Sequence, residues 1–274
     1  MPTASVLDYP AHAFIRFHEN HGLLKLADRP LWRTVSGGSR VYVEKLAAPF
    51  ADRIRKDVRV VSVERRPEGV WLRTNTGARV RFDQVVIASH ADQALSLLSE
   101  PTAEETRLLG AFRYSINDAV LHGDERLMPR RRRAWASWNY VGGDQQDRHA
   151  GLTVTYWMNN LQSLPKEQPL FVTLNPNREI ESSKVYQSRC FEHPIIDGAA
   201  TDAQQQLWSL QGRDRVWYCG SYFGAGFHED GLQVGLAVAE AISGRKRPWR
   251  VADESGRITV AAAAQRDLVD GVAA

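Results

Sequence analysis

Apolar positions along the chain switch between helical spacing and strand alternation, and the switches mark its elements. Phe14, Phe17 and His18 lead through His21 to Gly22 and predict a short amphipathic helix. Behind the turn Ser36-Gly37-Gly38-Ser39, the residues Val43, Leu46, Ala47, Phe50 and Ile54 share one helical face, and Pro49 is expected to kink or split that helix. Stretches 58–64, 70–74 and 78–82 carry strand patterns separated by Pro67-Glu68-Gly69 and Asn75-Thr76-Gly77, which reads as an antiparallel meander. The apolar run 85–88 follows as a short buried strand. Helical patterns then pass through Ala94, Leu95, Leu97 and Leu98, and through Leu108, Leu109 and Phe112. Thr102 stands ahead of Glu105 with the spacing of a capping box.

From 114 to 191 the pattern changes to stretches rich in Trp, Tyr and Thr, at 134–141, 152–157, 170–174 and 183–191, which predicts an antiparallel sheet. A helical signal lies around Leu207 and Leu210. The run 216–219 is a second short buried strand, and it enters a loop holding Gly220, Gly224, Gly226 and Gly231. Leu232, Gly235, Leu236, Ala239 and Ile242 trace one face of a helix behind that loop. Gly244, Arg245-Lys246-Arg247 and Pro248 stop it, and the residues after Trp249 read as a tail.

Length and composition narrow the class. The 274 residues suit about two small domains or one large one. Hydrophobic residues at 43% and charged residues at 24% exclude wholesale disorder. A formal net charge of +3 is too small to imply a nucleic-acid partner. The longest apolar run, 260–264, is far short of a membrane span, and no secretory pattern opens the chain. With only Cys190 and Cys219, a disulfide framework and a cysteine-rich zinc module are excluded, and a reduced, cytoplasmic setting is expected.

The strand–glycine loop–helix unit at 216–243 holds the strongest chemical signal. Glycine lets a backbone approach a ligand closely, and a helix N-terminus suits phosphate or a delocalised anion. Gly235 and Ala239 keep one helix face small, which would permit tight packing. The dinucleotide fingerprint G-x-G-x-x-G fails, because Glu229 stands where its third glycine belongs. Cofactor contact and a purely structural turn therefore both remain open on spacing alone. The turn at 36–40, with Arg40, raises the same two readings.

Other motifs resolve against catalysis. His228-Glu229-Asp230 is not a zincin, since Leu232 occupies the second histidine position, and no metal site is expected. Ser221 lacks the frame of a nucleophile elbow. His122 with Asp124, and His193, read as loop or core histidines. Arg130 to Arg133 form a compact cationic run, either a solvated loop or a site for an acidic substrate or lipid headgroup. Trp135, Trp138, Tyr140, Tyr156 and Trp157 are interleaved with Asn139, Thr155, Asn159 and Asn160. That mixture describes either a core or the wall of a small-molecule pocket.

The order of these features resembles the flavin-containing amine oxidase superfamily, and more narrowly its group of NAD/FAD-binding oxidoreductases. The segments carrying the likeness are 20–24, 32–43, 135–140 and 219–235, the last with its Gly-Phe-His-Glu-Asp-Gly core. The resemblance covers about 10–250. It implies an α/β (α+β mixed) fold, a partial Rossmann-like FAD/NAD(P)-binding domain at 30–100 and 212–250, and an antiparallel-sheet substrate domain at 1–29 and 101–211, with 251–274 as the tail. It further implies FAD as cofactor and hydride transfer from a small organic substrate to the flavin N5.

Residue by residue, the resemblance sets Gly37, Gly38, Ser39 and Arg40 along the flavin edge and Val61 at the adenine end through its backbone. Ala88 and Ser89 would close their strand over the cofactor, and Gly220 and Ser221 would approach the diphosphate and ribityl chain. His228, Glu229, Asp230, Gly231 and Leu232 would border the isoalloxazine ring. The implied substrate wall comprises Trp135, Trp138, Asn139, Tyr140, Thr155, Trp157 and Asn159. No catalytic base is identified: no lysine can be placed at the water-holding position that many amine oxidases use, and Lys184 is only a guess for it. The position of Tyr222 is commonly acidic in amine oxidases. The family's fingerprint lies ahead of the region resembled here, so the chain alone is expected to bind FAD weakly or not at all. On that reading it is the C-terminal two-thirds of a flavoenzyme. The alternative is a non-catalytic fragment, or a subunit needing a separate nucleotide-binding partner.

Overall fold

Helix α1 (Ala11–Asn20) opens the described part of the chain, which in this computed structural model comprises residues 10–28, 31, 33–141, 153–252 and 254–260. Gly37 and Gly38 both sit at φ 83°, a left-handed conformation that glycine adopts without a Cβ clash, and they launch α2 (Ser39–Ala47). Pro49 then acts as expected. Ala48–Arg53 tightens into a 3-10 turn that breaks at Phe50 (φ −137°, ψ 24°). None of the side chains of α2 is buried, and Val43 and Leu46 are exposed.

The meander follows as β1 (Val60–Arg66), β2 (Gly69–Thr74) and β3 (Arg79–Phe82), antiparallel in that order. The register slips between Val60 and Ser62, so Val61 is an extra residue on β1 whose backbone falls outside the regular ladder. The short strand β4 (Val85–Ile87) leads to α3 (Ala91–Leu97) and α4 (Ala103–Leu109). The capping box forms: Glu105 N–H donates to Thr102 Oγ1 at 3.1 Å, and Thr102 N–H donates to Glu105 Oε2 at 2.8 Å.

A five-stranded antiparallel sheet comes next. Its strands are β5 (Arg113–His122), β6 (Trp138–Val141), β7 (Thr153–Trp157), β8 (Phe171–Leu174) and β9 (Val185–Ile195), in spatial order β6-β7-β8-β5-β9. A one-turn helix, α5 (Met158–Leu161), follows β7. Asn139, Thr155 and Thr173 are register partners across three strands and so share one face. That face carries a buried polar row. His122 Nε2 bonds Thr173 Oγ1 at 2.7 Å, Thr173 bonds Thr155 Oγ1 at 2.9 Å, and Asn139 Nδ2 donates to Thr155 O at 3.2 Å. Asp124 N–H donates to His122 Nδ1 at 3.1 Å, which makes Nε2 the protonated nitrogen of a neutral ring. Trp135 covers the same face, edge-on to Trp157 and Phe171.

The chain ends with α6 (Gly198–Gln204), β10 (Val216–Tyr218) and α7 (His228–Ser243). β10 pairs in parallel with β4, Val216 opposite Val85 and Tyr218 opposite Ile87. By internal contacts the chain divides into two units. The first contains Phe14–Ile54 and Tyr114–His193; the second contains Pro10–Ala13, Arg55–Arg113 and the chain from Pro194 on. The expected boundaries at 100 and 211 thus fall inside the second unit, and 30–54 groups with the first. Val70, Leu108, Leu109, Leu207, Val216 and Val234 are fully buried in the second unit's core. Glu105 is buried there too, accepting from Arg65 and, at 2.5 Å, from the Tyr218 hydroxyl.

Candidate functional site

In the second unit, β4 and β10 run in parallel and release the chain at the same end, where parallel sheets usually hold ligands. Cys219 N–H extends the ladder by donating to Ile87 O at 3.0 Å. Ser89 and Gly220 lie side by side just beyond: a Cβ on Gly220 would stand 3.2 Å from Ser89 O and 2.6 Å from the Tyr222 ring. The chain then tightens, with Phe223 N–H donating to Gly220 O, and Gly224 and Gly226 N–H both to Ser221 O. Gln204 of α6 fixes the loop from behind, its Nε2 donating to Tyr222 O at 2.9 Å and Gly224 O at 2.6 Å.

α7 begins immediately after. Its first residues, His228 and Glu229, are exposed, which turns the positive end of a sixteen-residue helix toward the surface. A Cβ on Gly231 would come no nearer than 3.9 Å, to Ser221 N, so the backbone there is open to approach. Ala88, Ser89, Gly220, Ser221 and Gly231 are thus gathered where two strand ends meet one helix start. Their chemistry is that of backbone dipoles and small side chains, suited to an anionic or electron-rich group and compatible with a flavin nucleotide. Burial pushes the neighbouring Cys219 thiol above its ordinary value, so it stays protonated beside this loop.

Several expected contributors have other work. Asp230 is fully buried, and its carboxylate accepts from Phe227 N–H at 2.8 Å and from Arg257 Nε at 2.7 Å. Its side chain ties the loop together. Arg257 belongs to the presumed tail, which returns to α7: its N–H donates to Gln233 Oε1 at 3.1 Å, and its guanidinium stands over Phe227. Gly224 is required by this packing, since a Cβ there would meet Asp230 Cγ at 2.7 Å. Tyr222 is buried with its ring against Phe112 and Phe223, a core residue at the position that is commonly acidic in amine oxidases.

The face of α7 is also inverted relative to expectation. Asp230, Gln233, Val234, Ala237 and Val238 are buried, whereas Leu232 is 54% and Ile242 38% exposed. Nothing lies within 4 Å of a Cβ on Gly235, so its small size serves no internal contact. β10 has its outer edge closed: Gln211 bonds Tyr218 N–H and C=O, and Gly212 N–H donates to Val216 O. Among the described residues no backbone bond closes the outer edge of β4, where Val86 is 42% exposed.

In the first unit, Gly37, Gly38, Ser39 and Arg40 form the start of α2. A Cβ on Gly38 would meet nothing, and Arg40 makes only a loose 3.8 Å pair with Glu44. The strand pleat divides the seven expected wall residues. Trp138 and Tyr140 lie on the more exposed face of the sheet, with Tyr156 opposite Trp138. Asn139, Thr155 and Trp157 lie on the other face, with Trp135 packed on Trp157. Asn139 and Thr155 are spent in the polar row. Asn159 is buried, donating to Pro165 O and Gln168 O and accepting from Leu170 N–H. These three amide and hydroxyl side chains hold loops and strands, so they do not form one pocket wall with Trp138 and Tyr140. His122 and Asp124 are core groups, as their sequence context indicated.

Residues 12–120 match the family model for flavin containing amine oxidoreductase. A comparison with curated proteins finds no match. Among solved structures, a reduced UDP-galactopyranose mutase is similar at a TM-score of 0.53 and 10% identity, over 82% of this chain and 56% of that one. A putrescine oxidase bound to putrescine is similar at a TM-score of 0.51 and 11% identity, over 76% and 53%. The chain thus spans little more than half the length of either, and at such identities the likeness is one of fold. No helix among the described residues is long and apolar enough to cross a membrane. Residues 12–120 are thus similar in sequence to the flavin containing amine oxidoreductase family, and the mixed helix-and-sheet architecture is similar in fold to that of the putrescine oxidase.

Proposed function

We propose that this chain supplies the strand-end and helix-start portion of an FAD-dependent oxidoreductase that oxidises a small organic substrate. The observation that carries the reading is the meeting of Ser89, Gly220 and Gly231 at the carboxyl ends of β4 and β10, under the start of α7. When bound, a flavin would supply a two-electron acceptor at N5. The chain's own part is binding and electrostatics. Ala88, Ser89, Gly220 and Ser221 would offer backbone groups to a diphosphate and ribityl chain. Val61, outside its ladder, would offer its peptide groups to an adenine. The N-terminal turn of α7 at His228 and Glu229 would stabilise negative charge on an adjoining ring by about 1 kcal/mol.

Two observations support the companion reading, that further strands from another segment or a partner chain complete the nucleotide site. A parallel pair is ordinarily buried on both faces within a larger sheet, whereas among the described residues β4 has an open edge and the apolar stripe of α7 faces outward. The test is to purify the chain with added FAD, alone and together with a segment bearing a G-x-G-x-x-G turn, and to record absorbance after gel filtration. Flavin bands retained only in the mixture, and bleached by an amine, are the expected result. Bands absent from both samples would remove the flavin reading, and bands retained by the chain alone would remove the need for completion.

A further inference from the structure

We infer that the first unit holds an oxyanion-binding pocket of its own, beside Arg130 and Arg178. The pocket has a volume of about 130 Å³, well above the roughly 10–15 Å³ that one water needs on the same measure, and so has room for a phosphate group. Its floor is built from Leu127 and Met128, which are 4% and 5% exposed. Thr153, 1% exposed, donates its hydroxyl to Asn175 O at 2.9 Å and accepts from Asn177 N–H at 3.0 Å. The start of β7 is thereby pinned to the loop that carries Asn177 and Arg178.

Its charge is unbalanced. Among the described residues, Arg130 and Arg178 both line it, and no carboxylate does. Neighbouring cations are already paired: Arg126 with Asp124 at 2.6 Å, Lys184 with Glu181 at 2.9 Å, and Arg132 with Glu125 at 3.8 Å while stacked on Trp135. Among the described residues, neither Arg130 nor Arg178 has a salt-bridge partner. Two guanidiniums bordering one small cavity repel each other until an anion enters, and their planar donor forks match the edges of phosphate or carboxylate. The adjoining Arg131 and Arg133 add to the positive potential that would draw such an anion in. The ligand chemistry is a phosphate group, carried either by a free small molecule or by a lipid headgroup.

The experiment uses the full chain with inorganic phosphate, followed by calorimetric titration at constant ionic strength set with chloride. A parallel arm measures flotation with phosphatidylcholine vesicles, with and without phosphatidic acid. The pocket variant is Arg130→Gln with Arg178→Gln. The control, Arg245→Gln with Lys246→Gln, removes equal charge beyond α7. All four side chains are exposed, so thermal midpoints in chloride should match the parent. Saturable phosphate binding weakened at least tenfold in the pocket variant alone supports a free anion. Flotation confined to phosphatidic acid vesicles, and lost only in the pocket variant, supports a headgroup. Binding in neither arm, or equal loss in pocket and control variants, overturns the inference.

Discussion

Asp230 shows how a residue's position in a motif and its role in the fold can part. The sequence sets it in the most recognisable stretch of the chain. The property that defines its job is its bond to Arg257, 27 residues further on in a segment with no pattern of its own. Replacing Asp230 by alanine leaves Phe227 N–H and the Arg257 guanidinium without their acceptor inside a packed loop. We expect a loss of about 3 kcal/mol in urea unfolding. Arg257→Ala should cost about as much, about 3 kcal/mol, because it leaves the fully buried Asp230 carboxylate without its cation and with only the bond from Phe227 N–H. Equal, negligible effects from both changes would mean the tail does not clasp the loop. Tyr222 and Asn159 teach the same lesson. A polar residue beside a glycine loop or among aromatics is read as ligand-facing until its backbone partners are known.

At the scale of elements, local chemistry was legible and orientation was not. The split at Pro49, the Thr102–Glu105 cap, the meander turns and the strand before the glycine loop all follow from short-range rules. Strand β5 escapes such rules because its first half, Arg113-Tyr-Ser-Ile-Asn-Asp, mixes polar residues into what becomes an interior strand of the sheet. The face of α7 escapes them for a different reason. Its buried side carries Asp230 and Gln233, while the apolar stripe through Leu232 and Ile242 turns outward, so periodicity points to the wrong side. Ile242→Glu should therefore change the stability of the isolated chain by less than about 0.5 kcal/mol. The same change should impair association with any segment that completes the sheet. A loss of several kcal/mol in the isolated chain would show instead that this face is internally packed.

At the scale of the whole molecule, the buried ionisable groups make stability depend on pH in two steps. Burial holds the His122 imidazole below its ordinary value, against the smaller opposing pull of Asp124. The unfolded chain therefore takes up that proton first, and stability falls as pH drops below about 6.5. Bonds from Arg126, aided by Glu181 N–H, hold the Asp124 carboxyl well below the usual range. Glu105 would be raised by burial, yet Arg65, Tyr218 and Thr102 outweigh that and bring it down. Both carboxylates contribute fully above about pH 4 and lose their contribution as pH falls through their lowered folded values. Urea midpoints measured against pH should show both declines. His122→Gln should flatten the upper one and Asp124→Asn the lower, and a parent curve level from pH 7 to 3 would contradict both assignments.

The polar row across β6, β7 and β8 also bears on how this chain reaches its final form. Because side chains alternate between faces, sliding β7 or β8 by one residue would bring an apolar neighbour under the His122 ring and strand a hydroxyl against hydrocarbon. Each orphaned group would cost about 1–3 kcal/mol. A row of purely apolar residues would tolerate such slippage; this one makes misalignment expensive at every rung. The sheet therefore proofreads its own assembly, and the histidine serves as the gauge against which the strands are set.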